Sequence, residues 1–346
     1  MATGADGRVL TAGGTAAGKV QRLSAEAVRV AGKDISWPEV LVAVLRSDAR
    51  TFPPPNALRM TTGEILRGHV RSVSGGKVSL DFQGRRQVDL EQVWAIDLVP
   101  APPGDPRKPR TLFRGKLRPL PGSLVWIDAE RIAVDSPLGV LTVPRAPSRR
   151  YVLREPDVRP LSAGATEVHL VDGSVLRGGA TFTDKGLRLE HATLGEVELT
   201  WPAVRALRRR GEGVSYLADL KPASVRTAPL LVEEDHDGLT AGPSRRSWAV
   251  NEVRLEAGTA ARYRPSSGDK GVLAATVAAD PRSPRPVKLR ILVGGKVLLE
   301  KTIDPADGPE PIRVKLPSAD ELTIEADFGP KVRLPSAVIL GDPRVE

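Results

Sequence analysis

The sequence predicts an all-β protein: tandem small SH3/Sm-like β-barrel repeats followed by a jelly-roll-like β-sandwich. Three observations carry this expectation. Gly (33) and Pro (31) are plentiful while aromatics make up only 4%, which favours short segments separated by turns over long helices. Apolar and polar residues alternate with period two in segment after segment, as at Val78, Leu80 and Phe82, or at Leu187 and Leu189, so each strand buries one face. A self-similar pattern also recurs at a spacing of roughly 55 residues, the mark of a repeat array.

Taken in order, the first copy is ADGRVLTAGGTAAGKVQRLSAEAVRVAGKDISWPEVLVAVL, and residues 5–50 form the first repeat. Residues 61–96, TTGEILRGHVRSVSGGKVSLDFQGRRQVDLEQVWAI, restate it within a second repeat at 56–99. A divergent third copy occupies 111–155, where SPLGVLTVP aligns with ATLGEVELT and ERIAVD with KGLRLE of the fourth, at 166–210. Trp37-Pro38 of the first copy matches Trp201-Pro202 of the fourth, and both tryptophans are read as core residues. Glycine in the turns supplies a positive φ without steric cost. Pro-rich stretches at 51–57 and 100–110, with a break at 154–165, mark boundaries, because proline cannot pair in a central strand. The basic runs Arg107, Lys108, Arg110 and Arg208, Arg209, Arg210 fall at module edges and read as solvated junctions.

Composition excludes several chemistries. Cysteine is absent, so there is no disulfide framework, thiolate metal site or cysteine nucleophile. His69, His169, His191 and His236 are scattered without metal-ligand spacing, and neither a metal nor a cofactor is expected. Phosphate-binding glycine loops, a G-x-S-x-G elbow and HExxH are all missing, so the chain is expected not to be an enzyme. The run VLRGGAT at 175–181 sits inside a strand pattern, and EEDHDG at 233–238 reads as a solvated acidic loop. The opening MATGADGRVLTAGG lacks a basic stretch followed by an apolar one, and no apolar run is long enough for a membrane span. The net charge of +9 favours acidic partners, although Phe and Tyr are too scarce in the repeats for a single-strand nucleic-acid platform.

From Tyr216 the register changes. YLADLKPASVRTAP at 216–229, GLTAGP at 238–243, GVLAATVAAD at 271–280, VKLRILVGGKVLLEKTI at 287–303 and PIRVKLPSADELTIEADFG at 311–329 follow one another in order. With Tyr216, Leu217, Asp219, Leu220, Pro222, Val225 and Pro229 in the opening run, residues 214–346 resemble the NPCBM family, the putative carbohydrate-binding module first noted in family 98 glycoside hydrolases. The preceding copies resemble the small SH3-like or Sm-like barrels that precede this module in many bacterial proteins. The resemblance implies a jelly-roll-like sandwich, sugar recognition and an extracytoplasmic setting. Independently, Gly294-Gly295 between two alternating strands is a hairpin signal, and ELTIEADF repeats the period-two pattern.

The copy departs from the family in three places. LEAGTAARYRPSSGDKG at 255–271 lacks the family's histidine, the acidic pair is reduced to Asp280-Pro281, and the ending reads LPSAVIL. A sugar site needs an aromatic ring to stack on the pyranose and planar polar groups for its hydroxyls. Trp248, Tyr263, Arg262 and Asp280 are the local set that could supply them. The leading expectation is therefore a non-catalytic glycan-binding or adhesion protein. The alternative is a scaffold for protein partners or self-association that has lost the sugar site, with nucleic-acid binding third.

Overall fold

The structure is a computed structural model that describes residues 6–46, 56–99, 108–115, 117–156, 160–228, 238–244, 246, 248–265, 271–317, 321–328 and 336–346. Parts of the Pro-rich segments (51–55 and 100–107), residues 157–159, Pro229 and the acidic run at 233–237 lie outside the described residues. Among the described residues the regular elements are β-strands and four single-turn 3-10 segments. The all-β expectation holds.

The chain divides into two compact units. The first is discontinuous and comprises 1–48, 160–165 and 206–346; the second comprises 49–159 and 166–205.

The four segments read from sequence as repeats share a closing hydrogen bond. The backbone N–H of Trp37 donates to Glu26 O, that of Leu90 to Gly76 O, that of Arg145 to Glu130 O, and that of Trp201 to Lys185 O. The indole N–H groups extend the match, since Trp37 Nε1 donates to Ser24 O at 2.9 Å and Trp201 Nε1 to Thr183 O at 3.1 Å. Both tryptophans are buried, as their repeat positions predict. In each of the first three repeats the first strand also pairs with the last, as Asp6–Thr11 does with Val42–Val44. Glycine marks the bend of the second strand: a Cβ on Gly68 or Gly178 would lie 2.2 Å from the carbonyl oxygen of Asp81 or Glu190, a separation no side chain tolerates.

In the second unit the repeats are joined by buried charge. Asp97 accepts from Arg59 Nε at 2.8 Å and from Arg150 Nε at 2.5 Å. Glu64 lies 2.9 Å from His191 Nε2 and accepts the Arg177 backbone N–H at 2.7 Å, while Glu167 contacts both His169 and the Arg177 guanidinium.

In the first unit two antiparallel sheets face each other. The larger contains Leu239–Pro243, Asn251–Glu256, Ala337–Val345, Gly271–Ala279 and Glu310–Leu316 in that order, with Ser215–Tyr216 added to Ala337–Val345. The smaller runs Ser224–Thr227, Thr259–Tyr263, Leu322–Phe328, Val287–Val293, Lys296–Ile303. Val253, Leu255, Val277 and Leu340 from one sheet meet Ala261, Leu289, Ile291 and Ile324 from the other in a single core. The Gly294-Gly295 turn has φ of 56° and 80°, the left-handed backbone its sequence requires.

The chain does not stop pairing at LPSAVIL. The strand Ala337–Val345 continues through Gly341-Asp342-Pro343, and its register against Gly271–Ala279 shifts between Ala274 and Thr276. That bulge accommodates a proline, which cannot donate to a ladder. Asp342 sits there at φ 48°, where its carboxylate accepts the backbone N–H groups of Val250 and Asn251 and the Arg8 guanidinium at 2.9 Å. Arg8 also donates to Thr276 Oγ1. Leu10, Leu41, Val42 and Val44 of the first repeat form a second apolar cluster with Ala206, Val214, Tyr216 and Val250. The first repeat and the sandwich therefore share one unit.

The run Arg208–Arg210 departs from its reading as a solvated junction. Arg208 is fully buried, donates to Asp219 Oδ1 at 2.8 Å and lies over the Tyr216 ring, while Arg210 donates to Leu161 O. These contacts desolvate a run that local sequence would leave in water.

Candidate functional site

The alternation of NEVRLE turns Val253 and Leu255 into the sandwich core and leaves Glu252, Arg254 and Glu256 on the outer face of the larger sheet. Trp248, just upstream, is half-buried on that side, against the backbone of Gly341. A Cβ on Gly341 would come within 2.4 Å of Trp248 Cζ3, so glycine is what lets the indole lie against the strand. Arg246 places its guanidinium 5.9 Å from the Trp248 ring centroid and 3.3 Å from Glu252 Oε2. Ser244 Oγ donates to the same Glu252 oxygen at 2.6 Å and accepts the Arg246 backbone N–H.

Asp280 follows Gly271–Ala279 in the same sheet. It accepts Arg254 Nε at 3.0 Å and the Arg282 backbone N–H at 3.1 Å. Burial opposes its ionisation, but those two bonds and the charges of Arg254 and Arg246 outweigh it and hold the carboxyl below the usual aspartate range. It is thus a charged acceptor at neutral pH. Trp248 and Asp280 thus lie on the outer side of the same sheet, Trp248 against Arg246 and Asp280 against Arg254.

Arg262 and Tyr263 lie on the other sheet. Consecutive strand residues face opposite ways: Tyr263 points into the core with none of its surface exposed, and Arg262 points outward to pair with Glu321 at 3.4 Å. Burial pushes the Tyr263 hydroxyl pKa well up, and its oxygen has no hydrogen-bond partner among the described residues. Of the four sequence-selected residues the fold places Trp248 and Asp280 on the larger sheet and Arg262 and Tyr263 on the smaller one. Arg246, Glu252 and Arg254 were not selected from sequence. The E-x-R-x-E spacing in NEVRLE was the available signal for the last two.

Among the described residues no group of three or more His, Asp or Glu side chains could hold a metal ion, and no helix is long and apolar enough to cross a membrane. A depression beside Leu161, Arg210, Tyr216 and Asp219 is also present, but Asp219 there is already bound to Arg208.

No family model and no curated protein matches the chain. Solved structures similar to it include the CBM51 module of a Clostridium perfringens GH95 enzyme in complex with methyl-galactose, at 11% identity over 38% of this chain and 99% of that one, with a TM-score of 0.31. The tandem CBM51 modules of a family 98 glycoside hydrolase from Streptococcus pneumoniae SP3-BS71 match at 12% identity over 54% of this chain and 72% of that one, TM-score 0.32. The M60 catalytic domain with two CBM51 domains from Clostridium perfringens ZmpB matches at 10% identity over 95% of this chain but only 37% of its own length, TM-score 0.31.

Proposed function

We propose that the sandwich is a non-catalytic carbohydrate-binding module, with the site on the outer face of its larger sheet. The observation that carries the reading is Trp248, a half-buried indole under the Arg246 guanidinium, which pairs with Glu252, on the sheet face that also carries Asp280. An aromatic platform beside charged hydrogen-bonding groups is the combination that sugar recognition requires. The order-preserving resemblance of 216–329 to the NPCBM family supports the same assignment. Trp248 offers the stacking surface, Asp280 accepts from a sugar hydroxyl, and Arg246 donates. Arg262 and Tyr263, on the opposite sheet, take no part.

The test is a glycan array probed with the full chain and its Trp248→Ala variant. Specific binding lost in the variant is the expected result. A blank array with folded protein, or binding indifferent to Trp248, sinks the proposal.

The scaffold reading draws support from one observation, the apolar cluster that the first repeat forms with the sandwich around Tyr216 and Val250. Self-association together with indifference to sugars favours it.

A further inference from the structure

In every repeat the last strand but one is paired along one side only among the described residues. Lys33–Ser36 pairs with Ala27–Val30, Arg85–Asp89 with Lys77–Asp81, Gly139–Pro144 with Arg131–Ser136, and Gly195–Thr200 with Gly186–His191. An open strand edge is a template for another chain, and proteins commonly blunt it with charge. The first, second and fourth repeats do so with exposed Lys33 and Asp34, exposed Arg85 and Asp89, and exposed Glu196 and Glu198. The third does not. Its edge strand reads GVLTVP, and Val140 is 61% exposed, next to Leu138 at 86%.

The register defines what this edge presents. Val140 lies opposite Asp135, Thr142 opposite Ala133 and Pro144 opposite Arg131, and Ala133 in turn lies opposite Trp126. Val140, Thr142, Pro144 and the half-buried Trp126 therefore share the outer face, while Ile132 and Val134 fill the core behind it. The Arg145 N–H donates to Glu130 O. By the alternation of antiparallel ladders, the N–H and C=O groups of Val140 and Thr142 then point away from Arg131–Ser136, toward the open edge.

We propose that this edge pairs antiparallel with the same edge of a second copy of the chain. The charge order selects a second copy, because exposed Asp135 flanks one end of the strand and exposed Arg131 the other. A two-fold axis at Thr142 brings the acidic end of each copy to the side of the other's basic end. The same register sets Thr142 against Thr142 and the Val140 N–H against the Pro144 carbonyl. Proline's missing donor then falls at the end of the ladder, where its loss costs least. The apolar outer faces become continuous across the junction, as edge-strand addition requires.

Sedimentation equilibrium of the full chain over roughly 1 to 100 µM, which brackets dissociation constants in the micromolar range, tests this. A monomer–dimer equilibrium is expected. Val140→Lys, which installs the charge the other three edges carry, and Thr142→Pro, which removes an edge donor, should each weaken it tenfold or more with the far-ultraviolet circular dichroism unchanged. Asp135→Lys should weaken it as well, and adding Arg131→Glu should restore it. A chain that stays monomeric throughout overturns the proposal, as does a dimer unaffected by folded Val140→Lys and Thr142→Pro. Glycan binding is read separately and is untouched by either result.

Discussion

The two units bury charge differently. The first uses single arginine–aspartate contacts, Arg8 with Asp342 and Arg208 with Asp219, and sets each among backbone groups or an aromatic ring. The second links groups in chains, with Asp97 between two arginines and Arg177 between Glu64 and Glu167, each of which also meets a histidine. In the second arrangement Glu64 is a buried carboxyl whose partners hold its pKa below the ordinary value, so its ionisation is linked to folding. The first arrangement fixes a junction. The second also makes stability depend on pH.

The sharpest test of that contrast is Asp97→Ala, which leaves the Arg59 and Arg150 guanidinium groups without their shared carboxylate. Removing one partner of a buried ion pair costs about 3–5 kcal/mol, so urea unfolding of the second unit should shift by that amount. Hydrogen exchange should locate the loss in 56–156 and 166–205 and leave the sandwich protected. Equal loss in both units would mean that the charge systems are not separate. Next in size is Gly341→Val in the first unit. Overpacking of this kind costs about 1–3 kcal/mol, and it should expel Trp248 from the sheet, seen as a red-shifted tryptophan emission with glycan binding lost.

The pH dependence follows from Glu64. Burial alone would raise its pKa, but His191, the Thr62 hydroxyl and the Arg177 N–H hold it below the ordinary value of 4.5. A carboxyl whose folded pKa is depressed stabilises the native state above its unfolded pKa, and that contribution is lost as pH falls through the folded one. The second unit should therefore weaken below about pH 4.5, and Glu64→Gln should flatten the acid limb while lowering stability at neutral pH. Amide exchange at Thr193 and Leu194, whose N–H groups donate to His191 Nδ1, reports the network directly. The smallest effect belongs to Arg290→Ala. Its partners Glu300, Glu325 and Asp327 are solvated, so no resolvable change in Tm is expected.

Sequence made the local features of both units legible. Period-two alternation located NEVRLE, the Gly294-Gly295 hairpin and ELTIEADF, and repeat alignment identified Trp37 and Trp201 as core. The same alternation separates Arg262 from Tyr263, since neighbours on a strand cannot serve one face. What local pattern could not reveal were contacts made across the chain. Arg208 reads as surface charge until Asp219 and the Tyr216 ring close over it. Asp342 follows a glycine and precedes a proline, a turn-like context, and only the bulge and the arrival of Arg8 make it a buried anchor. At the candidate site Trp248 and Asp280 were visible as residue types. Arg246, which lies over the Trp248 ring, comes from a loop with no periodicity to betray it.

The anchor at Asp342 also sets an order of events in time. Arg8 and Asp342 are 334 residues apart in sequence, yet they complete the same unit. At about 5–20 residues per second of synthesis, the first repeat waits about 17–67 s for its partner strand. Leu10, Leu41, Val42 and Val44 lack the rest of their cluster until Val250 is made, by which point all of the second unit, 49–159 and 166–205, has already been made. Refolding should show the same sequence, with the second unit protected early and the first appearing in a slow phase, because contacts between distant residues carry the largest loop-closure cost.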